Sequence, residues 1–171
     1  MHNAGVTSVG CVEEMPAETW VQMFSTNPFG PARLTAELLP SMRAAGRGRI
    51  VVVSSQAGVR GMLTTGAYSA VKGALERWAE SLAEEVTPFG LGVTILVPGA
   101  FRTDILVETR TFGDPDGPYG RHHAGVERSG RLMIRLAAEP GRFAPALERA
   151  LTDDPLRLAA VTPPSGEPEH G

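Results

Sequence analysis

The sequence is almost without lysine and has one cysteine. Lys72 is the only lysine among 16 basic residues, and the other fifteen are arginine. Cys11 stands alone, so no internal disulfide can form and the fold must rest on its apolar core, as is usual in a reducing compartment. A cytoplasmic location is the expectation, and Cys11 reads as a small buried or half-buried filler. Tyrosine (Tyr68, Tyr119) and asparagine (Asn3, Asn27) occur only twice each. The N-terminus has neither a basic start nor an apolar stretch, so it does not read as a signal peptide. No segment approaches the roughly 18 apolar residues of a membrane span. With a net charge of −3 there is no basic excess either, which excludes the electrostatic footprint of nucleic-acid or anionic-membrane binding.

What is present is an ordinary globular composition: 171 residues, 42% hydrophobic and 20% charged, which excludes disorder and coiled coil. Where arginine has replaced lysine everywhere else, the surviving lysine is the first place to look for chemistry that a guanidinium cannot do.

Acidic residues between 13 and 19 lead into helical spacing of apolar residues from Trp20 and Met23 through Leu34, Leu38 and Met42. This predicts one long helix or two short ones, kinked near Asn27 by Pro28 and Pro31. Arg49 to Ser54 is a β-branched run with the form of a buried parallel strand. A loop of Ser, Gly and Thr follows to Gly66. Val71, Leu75, Trp78, Leu82 and Val86 then predict an amphipathic helix over 67–86. Gly92 to Val97 is a second buried strand, ended by Pro98-Gly99. Strand, helix and strand within about 50 residues make a right-handed parallel crossover, hence α/β architecture. Ligands in such sheets sit beyond the carboxyl ends of the strands, which sets the Ser54-Ser55 and Pro98-Gly99 turns side by side at the expected site.

The Gly- and Pro-rich stretch 104–125 reads as a mobile lid, followed by helices over 126–137 and 141–152, a third strand over 156–161 and a disordered tail over 162–171. His122-His123 resembles a metal cluster only superficially: adjacent side chains diverge, and no third ligand has ligand-like spacing. These histidines are expected to face solvent, with no metal site.

The chemistry-bearing residues fall in a recognisable order. Asn3-Ala4-Gly5, Asn27 and Gly30 on a helix, Ser55 after a strand, Tyr68-Ser69-Ala70-Val71-Lys72 opening the next helix, and Pro98-Gly99 with Thr103 resemble the short-chain dehydrogenase/reductase family. An ammonium one helical turn from a phenol favours the phenolate, which is expected to lower the pKa of Tyr68. The resemblance implies that Tyr68 is the general acid/base, that Ser55 holds the substrate oxygen and that Lys72 bridges the cofactor ribose hydroxyls. It implies that Asn27 fixes a water in the proton relay, that Asn3, Ala4, Pro98 and Gly99 line the cleft for NAD or NADP, and that Thr103 meets the nicotinamide end. The substrate it implies is a small secondary alcohol or its carbonyl. It also implies a homodimer or homotetramer built on the long helices that carry Asn27 and Tyr68, with Trp78 and Leu82 either in that interface or in the core.

The resemblance departs at the front of the chain. A strand, a G-x-x-x-G-x-G turn and the helix that receives a pyrophosphate are not found before Asn3, and the strand leading into Asn3 is expected to be lost. The expected fold is therefore a Rossmann-like parallel sheet with helices on both faces, lacking the N-terminal nucleotide-binding βαβ units, with residues 1–161 as its catalytic part. The Ile50–Val53 strand is expected to be a bare apolar edge. Two readings follow: Met1 lies inside a longer oxidoreductase, or the chain is a truncated, non-catalytic remnant or a partner-dependent interaction protein.

Overall fold

The computed structural model describes residues 1–107, 109–152 and 159–161. The main sheet has three parallel strands, β2 (Gly48–Val53), β3 (Leu91–Val97) and β5 (Ala159–Val161), in the order β2-β3-β5. Ile50 faces Val93, Val52 faces Ile95, and Leu96 faces Ala160. Between β2 and β3 runs α4 (Gly66–Val86), preceded by the short α3 (Gln56–Val59). Strands of alternating side-chain direction bury both faces here. Ile50, Val52, Val93, Ile95 and Val97 form one core with Leu75, Ala79, Leu82 and Val86 of α4. Val51 and Leu96, which point the other way, are fully buried too. Each such side chain stabilises the fold by about 1.5–3 kcal/mol relative to exposure. Leu82 is thus core rather than interface, and Trp78 packs partly buried against it.

The long helical stretch before β2 is continuous but irregular. α1 (Ala17–Phe24) passes through a π-helical turn, Ser25–Phe29, into α2 (Gly30–Ala45). The expected kink is this turn: Pro28 has no N–H to give, and the chain takes one wide turn in which Gly30 N–H bonds to the carbonyl of Ser25. α2 ends on Gly46 at φ 63°, and the helix extension after α4 ends on Gly90 at φ 74°. A Cβ on Gly90 would stand 2.5 Å from the Gly46 carbonyl oxygen, so this crossing, which aligns the starts of β2 and β3, requires glycine.

Three expectations are corrected. First, the strand before Asn3 is not wholly lost. His2 forms a parallel bridge to Val52, donating its N–H to Val51 O (2.7 Å) and accepting from Val53 N (2.9 Å), so the upper half of β2 is not a bare edge. The His2 ring also reaches Thr35 Oγ1 of α2 at 2.8 Å and meets Trp78 edge-on. Second, 104–125 is not a loose lid. It contains α5 (Asp104–Val107) and β4 (Arg110–Thr111), and β4 pairs in parallel with β1 (Ser8–Val9). The Phe112 N–H donates to Val9 O, and Tyr119 donates to Glu13. Third, α6 begins earlier than the apolar spacing suggested, at Gly120, and runs to Leu136. α7 (Ala144–Thr152) follows where expected and lies against β2 and β3. Among the described residues no helix is long and apolar enough to cross a membrane. The expected first half of the third strand, 156–158, and the expected tail, 162–171, lie outside the described residues.

Candidate active site

The carboxyl ends of the strands come level at one rim. Ser54 N donates to Leu96 O (2.8 Å), so the turn after β2 meets the end of β3, where Pro98 and Gly99 are half-buried. Asn3 and Ala4 follow His2 on the other side of β2 and are exposed. Thr103 is exposed at the start of α5. Ser55 is the N-cap of α3, its hydroxyl accepting from Ala57 N at 3.2 Å. Capping and a place at the rim are compatible, because a hydroxyl retains a proton to donate.

Tyr68 is the third residue of α4 and Lys72 lies one turn further along. The Lys72 ammonium is buried (4% exposed), stands 5.8 Å from the centre of the Tyr68 ring and donates to Val53 O at 2.9 Å. That bond fastens the N-terminal half of α4 to the last residue of β2. Burial pulls the Lys72 pKa down from 10.5 to about 8, against the opposing charge of Glu76. For Tyr68 the expected lowering is not found. Burial raises the phenol's pKa, and the neighbouring Ser55 hydroxyl pulls it back in part. Desolvation is the larger effect, and Lys72 turns its ammonium to the backbone carbonyl of Val53.

Asn27 sits in the π-helical turn and is 1% exposed. Its Nδ2 donates to Met23 O and to Val6 O (both 2.9 Å), and its Oδ1 accepts from Val6 N (3.2 Å). A side chain of the wide turn thus binds a carbonyl of α1 and also clamps the segment after Asn3-Ala4-Gly5. A Cβ on Gly5 would stand 2.6 Å from Asn27 Oδ1 and 3.8 Å from Lys72 Nζ, so Asn27 and Lys72 converge on this glycine. Pro28 after the asparagine, a departure from the family's usual apolar residue, is accommodated by the π-turn and is itself buried.

Two supporting residues escaped the sequence reading. Glu76 is 5% exposed, and the Ser54 hydroxyl donates to its carboxylate. Gly58 leaves room for that pair, since a Cβ there would overlap the carboxylate. The signal was present: Tyr68, Lys72 and Glu76 are spaced i, i+4, i+8, and a glutamate on the apolar face of a helix needs a buried partner.

A parallel α/β sheet that gathers a serine, a tyrosine and a buried lysine beyond the carboxyl ends of its strands is a Rossmann-like fold with its site at the usual rim. Comparison with known proteins agrees. The short chain dehydrogenase family profile matches residues 1–113. The chain is 38% identical over 105 residues to the uncharacterized oxidoreductase YusZ of Bacillus subtilis, covering 61% of this chain and 38% of that one. It is 41% identical over 103 residues to the 3-ketodihydrosphingosine reductase of Bacteroides thetaiotaomicron, covering 60% and 38%. Among solved structures, a short-chain dehydrogenase from Streptomyces avermitilis superposes with a TM-score of 0.79 at 35% identity, over 94% of this chain and 58% of that one. A gluconate 5-dehydrogenase from Burkholderia cenocepacia in complex with NADP and tartrate shares the fold, with a TM-score of 0.59 at 23% identity over 61% of this chain and 41% of that one. The chain belongs to the short-chain dehydrogenase/reductase family, a family of oxidoreductases. It spans 38% of the length of the two curated relatives named.

Proposed function

We propose that residues 1–161 are the catalytic part of an NAD(P)-dependent oxidoreductase that interconverts a carbonyl and a secondary alcohol. The observation that carries this reading is the convergence of Ser55, Tyr68 and buried Lys72 at one rim. Bound NAD(P) supplies or takes up hydride at the substrate carbon. The residues here fit its nicotinamide and ribose end. The Lys72 ammonium uses one donor on Val53 O and has two more for ribose hydroxyls, while Asn3, Ala4, Pro98 and Gly99 leave the adjoining rim accessible. Thr103 is assigned to the nicotinamide end.

In the reducing direction Tyr68 Oη gives its proton to the substrate oxygen as the carbon is reduced, and in the oxidising direction it takes that proton back. Its raised pKa keeps the phenol protonated at neutral pH, ready for the reducing direction. Ser55 donates to the same oxygen, which keeps it within reach of Tyr68 and stabilises developing negative charge. Lys72, with a pKa of about 8, is mostly charged at neutral pH, so its ammonium donors are available to the ribose hydroxyls. Asn27 acts by positioning: it holds Val6, and through it the Asn3–Gly5 segment, beside Lys72, and the family resemblance assigns it a water in the proton relay.

The test is NADH- and NADPH-dependent reduction of a panel of aliphatic ketones and ketoesters. Ser55→Ala is expected to lose about 100- to 1,000-fold in kcat, the usual effect of removing one donor to a developing oxyanion. Full activity of that variant removes Ser55 from the site. A folded chain inactive on every carbonyl with either cofactor would favour instead a non-catalytic or partner-dependent interaction protein.

A further inference from the structure

Away from the rim, three ligand-type side chains from two segments far apart in sequence meet. Cys11 Sγ, a Glu14 carboxylate oxygen and a His123 ring nitrogen all lie within 4.8 Å of one another. Cys11 and Glu14 belong to one tight turn, in which Glu14 N and Met15 N both donate to Cys11 O at 3.0 and 3.1 Å. A C-x-x-E turn of this kind points two side chains to one side. His123 comes from the first turn of α6, and its Nε2 is 2.6 Å from Glu14 Oε2. The other Glu14 oxygen accepts from Asp114 N at 3.2 Å, which fixes the carboxylate's orientation. Gly113 makes room for the imidazole, because a Cβ there would overlap the ring.

We infer that Cys11, Glu14 and His123 form a binding site for a divalent ion of the zinc class. A thiolate, an imidazole and a carboxylate are the donor set of a borderline-soft ion and suit neither magnesium nor calcium. Tetrahedral bonds of about 2.0–2.3 Å put neighbouring ligand atoms about 3.3–3.6 Å apart. The Glu14–His123 pair therefore opens by less than about 1 Å, the thiol moves in by a similar amount, and water fills the fourth position. All three side chains are largely withdrawn from solvent: Cys11 is 8% exposed, and the His123 and Glu14 side chains 13% and 16%. The Glu14 carboxylate thus serves both the His123 ring and the buried Cys11 thiol as hydrogen-bond partner. A bound ion takes over both contacts, displacing the thiol proton to water as it binds.

The position gives the ion a structural effect. Val9 and Phe112, flanking the site, already join through the β1–β4 pair, and Met15 and Phe112 pack in the cluster that contains Tyr68. The ion staples α6 and the 110–114 segment to the loop that walls Tyr68.

The test is cobalt titration of the metal-free 171-residue chain, followed by absorption. The expected result is one Co(II) per chain, with intense tetrahedral visible bands and a near-ultraviolet thiolate charge-transfer band. Cys11→Ser abolishes the charge-transfer band. His123→Ala and Glu14→Gln each weaken binding by more than the roughly tenfold that loss of an outer partner costs. X-ray absorption of the zinc-loaded wild-type chain, which needs no variant to fold, is expected to show one sulfur with nitrogen and oxygen neighbours. Absence of the charge-transfer band in the folded chain, an all-oxygen and nitrogen shell, or binding unchanged in both His123→Ala and Glu14→Gln overturns the site.

Discussion

Lys72 illustrates how much one residue's surroundings decide. Its pKa is about 8 when folded and 10.5 when free, so between these values the unfolded chain holds a proton that the folded chain lacks. Unfolding then takes up a proton, and stability attributable to Lys72 rises with pH across that window. Tyr68, raised by burial, acts in the opposite sense only above its ordinary value of 10, where the unfolded phenol ionises first. Denaturant midpoints of wild type and Lys72→Met at about pH 7.5 and 9.5 check this. The wild-type midpoint is expected to rise relative to the variant at the higher pH, and parallel behaviour would contradict a strongly depressed lysine. At Gly5 the constraint is space. Gly5→Ala drives a methyl to 2.6 Å from Asn27 Oδ1, and a loss of about 1–3 kcal/mol in unfolding free energy is expected.

At the scale of elements, the strands and α4 were legible because period and composition agree: β-branched runs between glycines, then apolar residues at helical spacing. Pro28 and Pro31 foretold a break near Asn27, but its form as a π-turn was not legible. It depends on the bonds of Asn27 to Val6 and Met23, and the Val6 contact spans 21 residues. Asn27→Ala leaves Val6 N–H and Met23 O without these partners and is expected to cost about 1–3 kcal/mol by equilibrium unfolding. The 104–125 stretch was misread for a related reason. Gly and Pro content suggests a loop, whereas what orders this stretch is pairing with β1 and with Glu13 and Glu14, about a hundred residues earlier. The same distance hid the meeting of His123 with Cys11. On α2, Leu34 and Leu38 are 52% and 46% exposed, on one of the helices where the resemblance puts subunit contacts. A subunit contact on this face predicts that replacing both by Asp shifts light-scattering mass toward the monomer, and a monomeric wild type or an unchanged mass would contradict it.

For the whole molecule, the tyrosine, serine, lysine and asparagine positions could be read from order and spacing, and the family assignment followed. The neighbours that tune them, Glu76 and the backbone carbonyl of Val53, came only with the fold. The 171 residues carry no G-x-x-x-G-x-G phosphate turn, and in the proposed reading they hold only the nicotinamide-ribose end of the cofactor. Fluorescence titration of the chain with NADH and NADPH is expected to show binding weaker than about 1 mM, and micromolar affinity would contradict that account. The central claim, proton transfer at Tyr68, is tested most directly by one substitution. With the best carbonyl substrate, Tyr68→Phe is expected to lose about 100- to 10,000-fold in kcat while its circular dichroism and unfolding midpoint stay near those of wild type. A folded Tyr68→Phe chain with wild-type turnover would contradict it.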